Sequence, residues 1–272
     1  MTAVQFSSQE QETLWKRPLQ EKLAYGKQTI QQILQKSKHP VVLYTGGKDS
    51  TVLMWLVRQA SSQSIPALLI DHGLHFPETW ALIDRVREEW NLNLLVARNE
   101  DVLVHAAKLG APVRVRGLSE ENQREVREVL GYQEETFPYT LDTQVGNHLL
   151  KTVALKQAIH THQFDHVFVG IRWDEHPARA TEQLISVRKD PPHTRVHPIL
   201  PLTEQDIWTV MLQQNLPTHP LYAKGYRSLD SIEGAKTDDQ PAWEQELGVG
   251  ERAGREQDKE GVMERLRALG YM

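Results

Sequence analysis

Between positions 41 and 60 an apolar run, a double glycine and an amphipathic stretch follow one another without a gap, and this succession limits the fold more than any other feature of the chain. Val41-Val42-Leu43-Tyr44 has the length and β-branched character of a strand covered on both faces of a parallel sheet. Val52, Leu53, Leu56, Val57 and Ala60 then recur at helical spacing. A strand that turns into a helix through two glycines presents consecutive backbone N–H groups at the positive end of the helix dipole. Glycine permits the φ values of such a turn and lets an anion approach the backbone. The loop Thr45-Gly46-Gly47-Lys48-Asp49-Ser50 therefore reads as a phosphate cradle, with Lys48 adding a point charge and Ser50 a hydroxyl. Asp49, a carboxylate in an anion site, is expected to hold Mg2+ or to orient the loop. The spacing matches neither GxxxxGK[ST] nor GxGxxG.

The same grammar continues along the chain. Apolar runs predict further strands over 66–70, 93–97 and 166–170, and periodic stretches predict helices over 11–36, 77–90, 101–109, 147–162 and 203–215. Pro18 marks where the first of these becomes regular, Gly110 closes the short 101–109 helix, and Thr203 with Asp206 fits a capping box. Strands alternating with helices imply an α/β fold: an open, doubly wound parallel sheet with helices on both faces. Ligands in such sheets sit beyond the carboxyl ends of the strands, so loops starting at Thr45, Asp71 and Ile171 should meet at one crevice. The expected organisation is a helical segment (1–38) packed on the core, a nucleotide-binding domain (39–222) and a tail (223–272). That tail, rich in glycine and charge, reads as a lid.

A net charge of −5 argues against a broad electrostatic grip on nucleic acid. No apolar run is long enough to span a bilayer, and the polar N-terminus lacks a secretory pattern, so the expected compartment is the cytoplasm. The cysteine count is zero, which removes disulfides, thiolate metal sites, iron–sulfur clusters and a cysteine nucleophile. Twelve histidines are present, but none stands in a spacing that predicts a transition-metal site. Trp55, Trp80 and Trp90 fall at core spacing and read as packing.

The segment Tyr44 to Ser50 resembles the signature of the PP-loop ATP pyrophosphatase superfamily, with Thr45 keeping the hydroxyl of its usual serine. The resemblance implies an adenine nucleotide alpha-hydrolase-like fold and cleavage of ATP between the α and β phosphates. Asp71-His72-Gly73-Leu74-His75-Phe76-Pro77-Glu78-Thr79 is similar to the branch holding phosphoadenylylsulfate (PAPS) reductases and the small subunit of sulfate adenylyltransferase. Leu150 to Ala158, Gly170-Ile171-Arg172-Trp173-Asp174-Glu175, Arg179-Ala180 and Glu251 to Arg255 resemble the adenylyltransferase subunit. His219 to Tyr222 and Gly225 to Ser228 look more like the reductases. Reductases of this branch attack with a thiolate that Ser231 or Thr237 cannot replace, so the missing cysteine favours adenylyl transfer.

The expected chemistry is attack by an oxyanion, most simply sulfate, on the α-phosphorus of ATP, with pyrophosphate leaving. Lys48, Arg172 and Arg179 are the catalytic candidates, the arginines as planar forks for phosphate or a tetrahedral anion. Nucleotide contacts are expected from Thr45, Gly46, Gly47, Asp49, Ser50 and Asp71, and by resemblance from Lys151, Gly170, Asp174, Glu175 and Arg188. Arg252 and Arg255 join them if the tail closes. Asp71 is expected to touch the nucleotide or fix its loop. The resemblance also implies a GTPase partner subunit, although the 188–198 stretch is shorter than that branch carries, and a homo-oligomer is open. The competing class is a non-catalytic module that senses an adenine nucleotide or adenylylsulfate in the same pocket.

Overall fold

The computed structural model describes residues 6–233 and 237–247. Helices α1 (Ser8–Trp15) and α2 (Leu19–Leu34) lead into strand β1 (Pro40–Leu43), helix α3 (Lys48–Ala60), strand β2 (Ala67–Ile70), helix α4 (Pro77–Glu89) and strand β3 (Leu94–Ala97). An excursion follows through α5 (Glu100–Leu103), β4 (Pro112–Arg114), α6 (Glu120–Arg124), β5 (Thr136–Pro138) and α7 (Gln144–Asn147). The chain returns by α8 (Ala154–His162) and β6 (His166–Phe168), then forms the hairpin β7 (Ile185–Lys189) and β8 (Pro192–Val196), and α9 (Glu204–Gln213).

Six strands pair in the order β3-β2-β1-β6-β8-β7. All neighbours are parallel except β7, which runs antiparallel at the edge. Side-chain alternation along the central strands divides the core in two. Val42 and Phe168, paired across β1 and β6, face α2, α3, α4 and α9, whose contributions include Ile30, Leu53, Ile83 and Trp208. Their neighbours Val41 and Val167, also paired, face the opposite layer, where α8 supplies Leu155, Ala158 and Ile159. Helices therefore cover both faces, as the apolar runs predict. The excursion has its own cluster, in which Val113 and Phe137 of the antiparallel β4–β5 pair meet Val102, Val126, Leu149 and Val153.

Thr203 and Asp206 form the expected capping box at the start of α9. The 147–162 helix begins earlier, at Gln144, and winds through a π-helical stretch, His148–Val153, before α8. The 101–109 helix is a correction, since α5 is one turn ending at Leu103. Val104, the next residue, is 73% exposed, so no second apolar turn holds the helix onto the core. Beyond Tyr222, Ala242, Leu229 and Trp243 pack on the main core, Trp243 edge-on to Trp208 at 5.7 Å.

In this topology the chain moves outward from β1 to β2 and β3, then crosses back to place β6 on the other side of β1. The switch point lies between the carboxyl ends of β1 and β6, where an open parallel sheet leaves a crevice.

Candidate active site

The loop after β1 is stapled by its own hydroxyls. The Thr45 N–H donates to Ser50 Oγ at 3.2 Å, Ser50 Oγ donates to the Gly47 carbonyl at 2.9 Å, and Thr45 Oγ1 and Ser50 Oγ lie 3.2 Å apart. Gly46 turns the chain at φ 75°, a value open to glycine at no steric cost. Gly47 caps α3 and has no side chain with which to satisfy the helix amides. The Lys48 N–H donates instead to the Tyr222 hydroxyl at 2.9 Å.

Gly170, just past β6, brings a second backbone against this loop. A Cβ there would stand 3.1 Å from the Asp49 carbonyl oxygen and 3.2 Å from the Ser50 nitrogen. A side chain there would have to push that backbone back by a few tenths of an ångström, so glycine favours this approach, which brings the β1 and β6 loops together.

Beneath the loop runs a buried charge network. Arg172, fully shielded from solvent, donates through Nη1 to Asp49 and through Nε to Asp174 Oδ1 at 2.9 Å. Asp174 Oδ2 accepts the Glu204 N–H at 2.7 Å, tying the network to α9. Lys48 Nζ lies 3.4 Å from Asp49 Oδ2 and 3.8 Å from Glu204 Oε1, and Arg227 grips both Glu204 oxygens at 3.1 and 2.5 Å. Lys48, Arg172 and Arg227 balance Asp49, Asp174 and Glu204 in charge, the condition under which buried ions are tolerated.

The crevice itself is lined by Thr45, Gly47, Lys48, Asp49 and Ser50, by Gly170, Glu175 and Arg179, and by Lys151 from the π-helical stretch. His72 and His75 supply a wall at the end of β2, their rings tilted at 32° with centroids 3.9 Å apart. Burial, with Lys151 nearby, pushes His72 down to about 2, and burial lowers His75 as well, so both rings are neutral. The far wall is Tyr222, Arg227, Ser228, Leu229 and Asp230. Asp230 holds Lys151 Nζ with both oxygens at 2.5 and 2.6 Å. Arg179 Nε lies 3.3 Å from Glu175 Oε2.

Several expected positions stand outside the lining. Asp71 fixes its own turn, accepting the Gly73 N–H at 2.9 Å, and pairs with Arg98 at 3.1 Å. Arg172 and Asp174 lie behind the loop, so the Arg172 fork is spent on two carboxylates, contrary to its expected place on the ligand. Arg188, on edge strand β7, pairs with Glu182 at 3.9 Å, and its charge adds to burial in pulling the shielded Arg195 down to about 10. Arg252 and Arg255 lie outside the described residues. Sequence reading passed over Tyr222, Glu204, Arg227 and Asp230 as site residues. The His219–Tyr222 and Gly225–Ser228 motifs contain Tyr222 and Arg227, whereas Glu204 and Asp230 lie in neither and carried no signal.

The Asp49 carboxylate faces two cations, Arg172 and Lys48, a placement that orients the loop.

A family model, the phosphoadenosine phosphosulfate reductase domain, matches residues 39–233. Sulfate adenylyltransferase subunit 2 of Rhizobium sp. (strain BR816) is 30% identical, over 75% of this chain and 68% of that protein. The protein of the same name from Caulobacter vibrioides is 30% identical, over 76% of this chain and 65% of its own length. The chain thus spans about two thirds of these relatives. Among solved structures, PAPS reductase from Candida auris superposes with a TM-score of 0.58 at 16% identity, covering 86% of this chain and all of that one. Candida glabrata FMN adenylyltransferase in complex with ATP gives 0.55 at 17% identity, covering 82% and 68% of the two chains. These likenesses confirm the α/β fold. With its family model spanning the sheet, the loop and the crevice wall, the chain belongs to the phosphoadenosine phosphosulfate reductase domain family.

Proposed function

We propose that this chain is a cysteine-independent adenylyltransferase that moves AMP from ATP to an oxyanion, sulfate, and releases pyrophosphate. One observation carries the reading. A glycine-turned helix start and three cationic side chains, Lys48, Lys151 and Arg179, face one crevice at the sheet's switch point, in a chain that has no thiol. The relatives named sulfate adenylyltransferase subunit 2 support the choice of acceptor.

A sulfate oxygen forms a bond to the α-phosphorus while the bond from that phosphorus to the bridging oxygen breaks, and pyrophosphate leaves with the electron pair. Positioning and charge neutralisation do most of this work. The free amides at the start of α3, those of Asp49 and Ser50, and the Lys48 ammonium hold the departing pyrophosphate, the Lys48 amide being taken by Tyr222. Lys151 and Arg179 face the α-phosphoryl group and the incoming anion. Asp49, Arg172, Asp174 and Glu204 keep the loop and Lys48 in place. Mg2+ arriving with ATP would take its ligands chiefly from phosphate oxygens and water, with Asp49 the loop carboxylate that could join them. The subunit naming of the relatives supports work alongside a partner chain, and the GTPase character of that partner is part of the proposal.

The test is pyrophosphate release from ATP and Mg2+ with sulfate or molybdate as acceptor. Molybdate forms an unstable mixed anhydride, so turnover continues without a partner. Lys48→Ala is expected to lower release about a hundredfold or more, the scale for removing a transition-state donor. ATP binding without pyrophosphate release from any oxyanion would transfer support to the sensing module.

A further inference from the structure

The first amide of α3 is satisfied from far along the chain. Gly47 offers no capping side chain, and the Lys48 N–H donates to the Tyr222 hydroxyl, 174 residues away in sequence. That hydroxyl is fixed. Its ring is 2% exposed, packs edge-on against Trp208 at 5.0 Å and meets His219 at 6.2 Å. Its backbone is tied down by Tyr222 N–H to the His219 carbonyl at 3.1 Å and by Ala242 N–H to the Tyr222 carbonyl at 2.8 Å. The oxygen covers the double glycine, 3.6 Å from where a Cβ on Gly47 would stand, and the residue lines the crevice.

A phenol has one hydrogen to donate, and an oxygen that accepts an amide hydrogen becomes a better donor in turn. We propose that Tyr222 is a phosphate-binding residue, passing the Lys48 amide's polarisation through its hydroxyl to an oxygen of the pyrophosphate group seated in the loop. This inference rests on the adenylyltransferase reading and adds to it a ligand from outside the sheet loops. The segment that follows α9 then forms part of the phosphate site.

The experiment measures affinities of inorganic pyrophosphate, ATP and AMP by titration calorimetry for the wild type, Tyr222→Phe and Lys48→Ala. Tyr222→Phe is expected to weaken pyrophosphate and ATP about tenfold, as for one hydrogen bond to a charged group. AMP affinity should change less than twofold, which also reports an intact crevice. Wild-type protein labelled with [13Cζ]tyrosine gives a second readout, independent of any variant's folding. Of the seven tyrosine signals, that of Tyr222 should shift with pyrophosphate and not with AMP. Pyrophosphate binding that is unchanged or tighter in Tyr222→Phe, or a Tyr222 signal indifferent to pyrophosphate, overturns the inference alone. A wild type that binds neither pyrophosphate nor ATP overturns the adenylyltransferase reading with it.

Discussion

Arg172 shows how residue type and residue role part company. Its guanidinium follows a strand end, where a free fork would meet a phosphate, yet it is wholly buried and divided between Asp49 and Asp174. Removing one partner of a buried ion cluster leaves uncompensated charge behind. Arg172→Ala should therefore cost about 3–5 kcal/mol in folding free energy, read from urea unfolding. Arg172→Lys should recover only part of it, because one ammonium cannot span two carboxylates as a fork does. A loss under about 1 kcal/mol for Arg172→Ala would mean that the network carries no weight. The identities at this site were legible in sequence, since a lysine, an aspartate and two hydroxyls at a strand-to-helix turn announce themselves. Their pairings were not. Asp49 meets Arg172 across 123 positions and Lys48 meets Tyr222 across 174, separations that no local periodicity encodes.

At the scale of elements, the contact of the two strand-end loops is set by one missing methyl group. Gly170→Ala would press a Cβ onto the Asp49 and Ser50 backbone at 3.1–3.2 Å, and backbone atoms cannot swing aside. The expected outcome is a stability loss of about 1–3 kcal/mol, as for other overpacked sites. Pyrophosphate release should fall at least tenfold with it, and unchanged release would show that the loops need not touch. The long periodic elements were readable for a physical reason: α3, α4 and α9 each bury one continuous stripe against the main core, and β1 is apolar throughout because both its faces are covered. The β4–β5 pair was not, because its strands are three residues long, contain Pro112 and Pro138, and show no usable alternation. Its stability comes from a separate cluster with Val126 and Leu149, which only the folded chain brings together.

For the whole molecule, buried histidines contribute to acid sensitivity. Burial pushes His193, His197 and His219 down to about 4, and pushes His72 down to about 2. In the unfolded chain all four titrate near 6.5. Above pH 7 both states are neutral at these sites and stability does not depend on them. As the pH falls from about 6.5 toward 4, the unfolded state takes up protons that the folded state refuses. Stability then drops by about 1.4 kcal/mol per pH unit for each proton of difference. The urea midpoint should fall steeply over that window, and a midpoint level from pH 7 to 5 would contradict the burial of these rings. No helix among the described residues is long and apolar enough to cross a membrane. The sheet order and the crevice lining put the proposed phosphate site at the β1–β6 junction.

The central claim is that the 45–50 loop, through its backbone amides other than that of Lys48, binds the β and γ phosphates of ATP. A crystal structure of the chain with a non-hydrolysable ATP analogue tests it most directly. The account predicts phosphate oxygens within hydrogen-bonding distance of those amides and of Lys48 Nζ, with the α-phosphoryl group turned toward Lys151 and Arg179. A triphosphate bound elsewhere, or an analogue that leaves this loop empty, would contradict it.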